Sequence, residues 1–354
     1  MLFIGYYYGT ALEAAARCGL MKMDQRLLDA GAEVNKLEGR WGTALRAALV
    51  RDHASVVQIM LDHGADMDFR LTRQRLYINN SEKASENALQ LGVKSGNLDI
   101  VKTPLANGAN VADDEPETLH PLILAVQTGN VAIVEELLDA GAPMNIHGKE
   151  RPYYSNIQAE DASPIHAAIA GGHSTVVQLL VSRGADIENH VEGVGPPLGV
   201  AASKSQTEIC RLLLAAGAIP HNAALSHAVR NGNIAVAQDL LAAGSKAALV
   251  LTLGCQHGRL DILELLPERI YDGDSPESVV DEAFTIQGLD DAVFRLMLEY
   301  TAPTQRRFRQ VCTGGSVASA KSMLKSGAIN INHQDEKGWR LSLTGRQRHI
   351  CRRK

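Results

Sequence analysis

The sequence predicts an all-α solenoid of short helix pairs stacked in chain order, with short β-hairpin or finger loops in the first half. Three observations carry that reading. A Leu-Leu-x-x-Gly-Ala phrase returns at a fixed interval. A Thr-Ala-Leu type of phrase stands before each copy. Apolar residues make up 45% of the 354, yet aromatics only 4%. Ala, Leu, Val and Gly suit closely packed short helices better than a sandwich or barrel.

The interval decides the architecture. Gly31 to Gly64, Gly108 to Gly141 and Gly184 to Gly217 are each 33 residues apart. A repeat of that length is one supersecondary unit that stacks on its neighbours. Gly64 to Gly108 spans 44 residues and Gly141 to Gly184 spans 43. Extra residues that spare the flanking helices belong in the connecting loops, so insert loops are placed at 69–85 and 146–162.

Each unit reads the same way from its start. Thr10-Ala11-Leu12, Thr43-Ala44-Leu45 and Ser163-Pro164-Ile165 open the first helix. Thr or Ser caps it, and Pro suits the first turn. Small pairs such as Ala47-Ala48 and Ala167-Ala168 let neighbouring helices approach. Gly19, Asp52, Gly96, Gly129, Gly172 or Gly232 then ends it in a left-handed turn. The second helix repeats apolar residues at i, i+3, i+4 and i+7, as in Val131–Leu138. A further glycine stops it.

On this basis helix pairs lie near 9–35, 42–68, 86–111, 119–145, 163–189, 196–220, 222–245, 247–270, 279–300 and 306–332. Together they make one array over 1–345. From Asn222 onward the period shortens, Gly217 to Gly244 being 27 residues, so the later pairs are expected to lack projecting fingers. A basic tail, 346–354, is expected to be unstructured. Neither end carries the polar outer face that a terminal repeat needs, so the sequence reads as a piece of a longer array or a gene model from one.

The opening phrases carry a resemblance. Ser163-Pro164-Ile165-His166-Ala167-Ala168, with the period of 33, resembles the ankyrin repeat family and its Thr-Pro-Leu-His-x-Ala helix start. The Gly-Thr-Ala-Leu variants after Tyr8 and Trp41 look like those of fungal-type arrays. The likeness is strong from Tyr8 to Ile219 and degenerate beyond. It implies a protein-interaction scaffold or recognition array without catalytic activity of its own. It also implies that His166 hydrogen-bonds within and between repeats. A stand-alone adaptor or substrate-receptor subunit, for instance of a protein-degradation complex, is the alternative. A remote third is an enzyme site within 222–340.

The chemistry-bearing motifs agree with the first reading. The sequence has no P-loop, G-x-G-x-x-G, H-E-x-x-H or G-x-S-x-G pattern, so no catalytic, metal or cofactor residue is assigned. The twelve histidines are scattered. The five cysteines make no pairing motif and are read as small buried residues of a reducing compartment. The chain is placed inside the cell, in cytoplasm or nucleus. A net charge of −5 argues against nucleic acid, and no apolar run is long enough to cross a membrane.

Two features point to a partner. The helix-start residues Glu13, Arg46, Gln90, Ile123, His166 and Gly199 vary, as an outward-facing recognition row would. The inserts carry Arg70, Arg73, Arg75 and Tyr77, then Lys149, Arg151, Tyr153 and Tyr154, residue types common at binding hot spots. With Arg46 these are the candidate partner-binding residues. Both inserts bring cations into an acidic chain, so the expected partner is a protein with an acidic surface. A monomer is expected.

Overall fold

The computed structural model describes residues 9–39, 41–70, 86–112, 119–145, 163–191 and 193–263, with short stretches at 307–308, 311–312, 317–325, 329, 339–341 and 351–353. The chain divides into two compact units, Met1–Pro197 and Leu198–Lys354.

Among its described residues the first unit holds five helix pairs. The first pair is α1 (Ala11–Arg17) and α2 (Met21–Asp29); the second is α3 (Ala44–Val50) and α4 (Ala54–Asp62). The third to fifth are Ala88–Ser95 with Leu98–Ala106, Pro121–Thr128 with Val131–Asp139, and Pro164–Ala170 with Ser174–Ser182. First helices touch first helices and second helices touch second helices along the unit. The result is two parallel rows. Their shared core runs through Leu45, Leu49, Val57, Met60, Leu89, Ile100, Ile123, Ile133, Leu137, Ile169 and Leu180. Each such side chain contributes about 1.5–3 kcal/mol by leaving water.

The caps have local causes. Thr10 and Thr43 accept from the N–H three residues on, at 2.9 and 3.2 Å. Asn87 and Gln90 form a reciprocal capping box. Among the described residues eight inter-helix turns hold a left-handed residue. Gly supplies six, while Asp52 (φ 63) and Ser205 (φ 58) hold the same conformation with a side chain. Pro104 lies inside its helix and is buried at a core position of the stripe.

The second unit begins with Pro197–Ser203, which opens at the boundary, and Thr207–Ala215. Asn222–Asn231 with Ile234–Ala242, and Ala247–His257 with Leu260–Leu263, follow. Only Ala218–His221 separate Thr207–Ala215 and its glycine turn from the next first helix, so no finger projects there. Beyond Leu263 the described residues include one helix, Val317–Lys325. The pair expected near 279–300 lies outside the described residues. The tail expected to be unstructured is corrected in part: Cys351–Arg353 form a strand paired antiparallel with Trp339–Leu341. The ladder satisfies backbone groups that a loose tail would leave to water.

One core residue breaks the pattern. Asp24 occupies on α2 the place taken by Val57, Val101, Val134 and Val177 in the other pairs. It is fully buried, and neither carboxylate oxygen has a hydrogen-bond partner. Burial pushes its carboxyl up from 3.8 to about 6. Because the folded value is raised, the protonated form favours the fold, and stability is lost as pH rises from about 4 through about 6. Asp24→Val should therefore stabilise the first unit at neutral pH, by up to roughly 3 kcal/mol, with a much smaller gain at pH near 4. Urea unfolding at both pH values reads the difference; equal gains would show that Asp24 does not titrate in the fold.

The turn glycines give a second expectation. A Cβ on Gly141 (φ +87) would meet nothing within 4 Å, whereas one on Gly129 (φ +71) would lie 2.6 Å from the His173 ring. Gly141→Ala should cost only backbone strain, about 1 kcal/mol, and Gly129→Ala clearly more. Thermal melts of the two variants rank them.

Candidate functional site

The outward row expected from the helix-start residues is corrected. Glu13, Arg46, Gln90, Ile123, His166 and Gly199 are all buried. The physical reason is the crossing between neighbouring first helices. The position after the opening Leu or Ile lies in the seam between repeats, so its side chain meets the next repeat rather than solvent.

Four of these residues act as latches across that seam. The Glu13 carboxylate accepts from the Trp41 N–H at 3.1 Å and the Gly9 N–H at 3.2 Å. Burial pushes its pKa up, and those N–H groups pull it back. Arg46 Nη1 donates to the Glu86 carbonyl at 2.7 Å. Gln90 Nε2 donates to the Leu119 carbonyl at 3.0 Å. His166 Nε2 lies 3.0 Å from the Gly195 carbonyl, so it carries the proton. Ile123 fills its seam with apolar volume instead.

A second set of latches lies at the start of the second helices. His53 Nε2 donates to the Arg17 carbonyl at 3.0 Å, and His173 Nε2 to the Gln127 carbonyl at 3.1 Å. Asn130 donates to the Gly96 carbonyl at 3.2 Å, and in the second unit Asn233 to the Ser205 carbonyl at 3.4 Å. Each ties a repeat to the turn of the one before. The histidines near the turns are structural by this geometry.

Arg46, a candidate partner-binding residue, is therefore corrected to a structural one. It is 7% exposed and pairs with Glu86, whose carboxylate also holds Lys94. Burial lowers the Arg46 pKa and Glu86 opposes the shift. Arg70 is half-buried, and its Nη1 donates to Gln90 Oε1 at 3.3 Å. Arg73, Arg75, Tyr77, Lys149, Arg151, Tyr153 and Tyr154 lie outside the described residues. Cys210 and Cys312 are buried, with Cys210 pushed up to about 12, mainly by burial. Cys18 is exposed rather than buried, because it lies past the end of α1.

The feature that sequence reading missed is a division of charge between the two rows. Among the described first helices Glu13 is the sole acid, and it is buried. In the first unit Arg17 and Lys94 stand in the last turns of first helices and Arg51 just beyond one; in the second unit Lys204 and Arg230 do the same. Arg51, Lys94, Lys204 and Arg230 are exposed. The second helices carry Asp29, Asp62, Asp99, Glu135, Glu136, Asp139, Glu208 and Asp239. Some of those acids are met by neighbouring cations, Asp139 by Arg183 and Asp239 by Arg211, each at 2.7 Å. Sorting the charges by helix rather than along the chain would have revealed this.

Among the described residues no group of three His, Cys, Asp or Glu side chains could hold a metal ion. None of the described helices is long and apolar enough to cross a membrane.

Comparison with known proteins fits the repeat geometry. The profile described as "Ankyrin repeats (3 copies)" matches residues 12–114, 89–191 and 148–222, more than half of the chain. The chain belongs to the ankyrin repeat family. Its repeats are a protein-interaction fold.

Among curated relatives, the Ankyrin repeat and KH domain-containing protein mask-1 of Caenorhabditis elegans is 27% identical over 59% of this chain and 8% of its own length. Rabankyrin-5 of Mus musculus is 30% identical over 40% of this chain and 14% of its own. The chain thus spans a small part of these relatives. Among solved structures, the ankyrin repeat domain of human ASB11 aligns with a TM-score of 0.53 and 22% identity, over 67% of this chain and 98% of that one. The ankyrin repeat domain of Bcl-3 aligns with a TM-score of 0.50 and 22% identity, over 60% and 88%. At that identity the likeness is one of fold.

The Arg46 latch yields an expectation. Arg46→Ala removes two contacts to Glu86 but leaves that carboxylate paired with Lys94. The cost should fall at about 1–3 kcal/mol, short of the 3–5 expected when a buried charge loses every partner. Arg46→Ala with Lys94→Ala should cost more than the two singles together. Equilibrium unfolding of the three variants decides it, and simple additivity would argue against the shared carboxylate.

Proposed function

We propose that the ankyrin array is a protein-recognition scaffold whose partner presents an acidic surface to the row of first helices. The observation that carries the reading is the charge of the described first helices: their exposed Lys and Arg residues, Lys94 and Arg230, with Arg51 and Lys204 just beyond two others, meet no exposed acid within those helices, although exposed Asp52 stands beside Arg51. Cations at helix C-termini also complement the helix dipole, worth about 0.3–1 kcal/mol each, so part of their placement serves the fold. That role does not account for the lack of exposed acids on the same helices.

The two inserts, of which the first is basic, extend the proposal. They enter the chain just ahead of the third and fifth first helices and bring Arg73, Arg75, Tyr77, Lys149, Arg151, Tyr153 and Tyr154. Arg70 at the rim of the first insert joins them, whereas Arg46 does not. No catalytic residue is assigned. The reading places the chain inside the cell, in cytoplasm or nucleus, in keeping with cysteines that form no pairing motif.

The test is affinity capture from cell lysate with three baits: the wild type, Arg51→Glu with Arg230→Glu, and Arg73, Tyr77, Tyr153 and Tyr154 all changed to Ala. A partner held by wild type should be lost roughly ten-fold or more by the charge reversal, and should be released by high salt. Circular dichroism confirms that the baits are folded. Capture that is indifferent to both charge reversal and salt would sink the acidic-partner reading.

A further inference from the structure

The charge of the chain is unevenly spread. Residues 338–354 hold six of its 35 Lys and Arg and none of its 40 Asp and Glu, so the net −5 is the sum of +6 here and −11 over the rest. The six are Arg340, Arg346, Arg348, Arg352, Arg353 and Lys354. Within this segment the backbone forms a two-stranded antiparallel ribbon, β1 (Trp339–Leu341) with β2 (Cys351–Arg353).

The register sorts these residues by face. Trp339 stands opposite Arg353, Arg340 opposite Arg352, and Leu341 opposite Cys351. Opposed residues share a face of a ladder and successive ones alternate. One face therefore takes only Arg340 and Arg352, while Trp339, Leu341 and Cys351 fall on the other with Arg353. Like charges directly opposite weaken a strand pair, and a two-stranded ribbon is marginal by itself. A dense anion along the arginine face removes the first cost and adds a support.

We propose that this ribbon binds the phosphate backbone of a nucleic acid duplex. Five of the six cations are Arg, whose planar fork matches pairs of phosphate oxygens. A duplex carries one charge per roughly 1.7 Å of its axis, which suits a cationic cluster broken by no acid. A two-stranded ribbon also has the width that the major groove of DNA admits. The net charge of the whole chain argues the other way only as an average. Exposed charges more than about 10 Å apart are screened from one another at 0.1 M salt, so the local +6 is what the ligand meets. The ribbon shares no residue with the surface proposed above, and each can fail alone.

The test is fluorescence anisotropy of the full chain with labelled DNA and RNA duplexes of mixed sequence, over a range of salt. The wild type should bind, with log affinity falling against log salt by about 0.9 per phosphate met. Arg340→Thr with Arg352→Thr keeps the ladder, since Thr pairs well with Thr, and should lose affinity roughly ten-fold and about two units of that slope. Arg352→Glu alone sets opposite charges across the ladder, so it should weaken binding while slowing hydrogen exchange of the strand amides. DNA held more tightly than RNA supports entry into the groove, and equal affinity supports contact with the backbone alone. The proposal is overturned by a wild type that binds neither duplex at low salt, or by unchanged affinity in the double Thr variant. Displacement by poly-glutamate as effective as by unlabelled duplex overturns it too, and gives the ribbon to an acidic protein.

Discussion

A helix pair of about 25 residues cannot bury its own apolar stripe, and the rest of this structure depends on that constraint. Each second helix presents one apolar face, and that face is dry only when a neighbour lies against it. Val56, Ile100, Ile133 and Val176 are sealed in this way, each by the helix before. Stability is thus a property of seams as much as of units. An ordinary globular domain would place its strongest contacts at one centre; here they recur at every junction.

Polar groups follow the same rule. Glu13, Arg46, Gln90 and His166 differ in charge and size, yet each is buried and each ends on a backbone atom of the next repeat. What the seam requires is a hydrogen bond to the incoming chain, not a particular residue. A buried backbone group left unpaired costs about 1–3 kcal/mol, so the seam tolerates variation only among side chains that reach it. Variation at a repeat-equivalent position is therefore no sign of a recognition surface. Asp24 is the counterexample within the core, a carboxylate at a valine position with nothing to pair with. It makes the first pair the one most exposed to a change of pH.

Surface charge is organised by the same two rows. The second helices mix acids with cations and form lateral ion pairs such as Asp139 with Arg183. Exposed pairs of that kind add little to stability, about 0–1 kcal/mol. The described first helices carry exposed Lys94 and Arg230 and no exposed acid, while exposed Asp52 stands beside Arg51 and Glu86 meets Lys94.

The sequence by itself determined the repeat, the class of fold and most turn positions, because these rest on local causes. Gly at a left-handed turn, Thr at a cap and apolar residues at helical spacing act within one repeat and can be read within one repeat. Even Asp52, a poor left-handed residue, was marked by its place in the period. The strand at Cys351–Arg353 was not legible, since pairing joins it to residues about ten positions away and leaves no periodic trace. The tertiary structure alone decided which side of each first helix faces a neighbour. That choice moved Arg46 from the surface to the seam and turned most of the variable row into latches. The crossing of neighbouring helices sets both, and a crossing angle is not written in any single repeat.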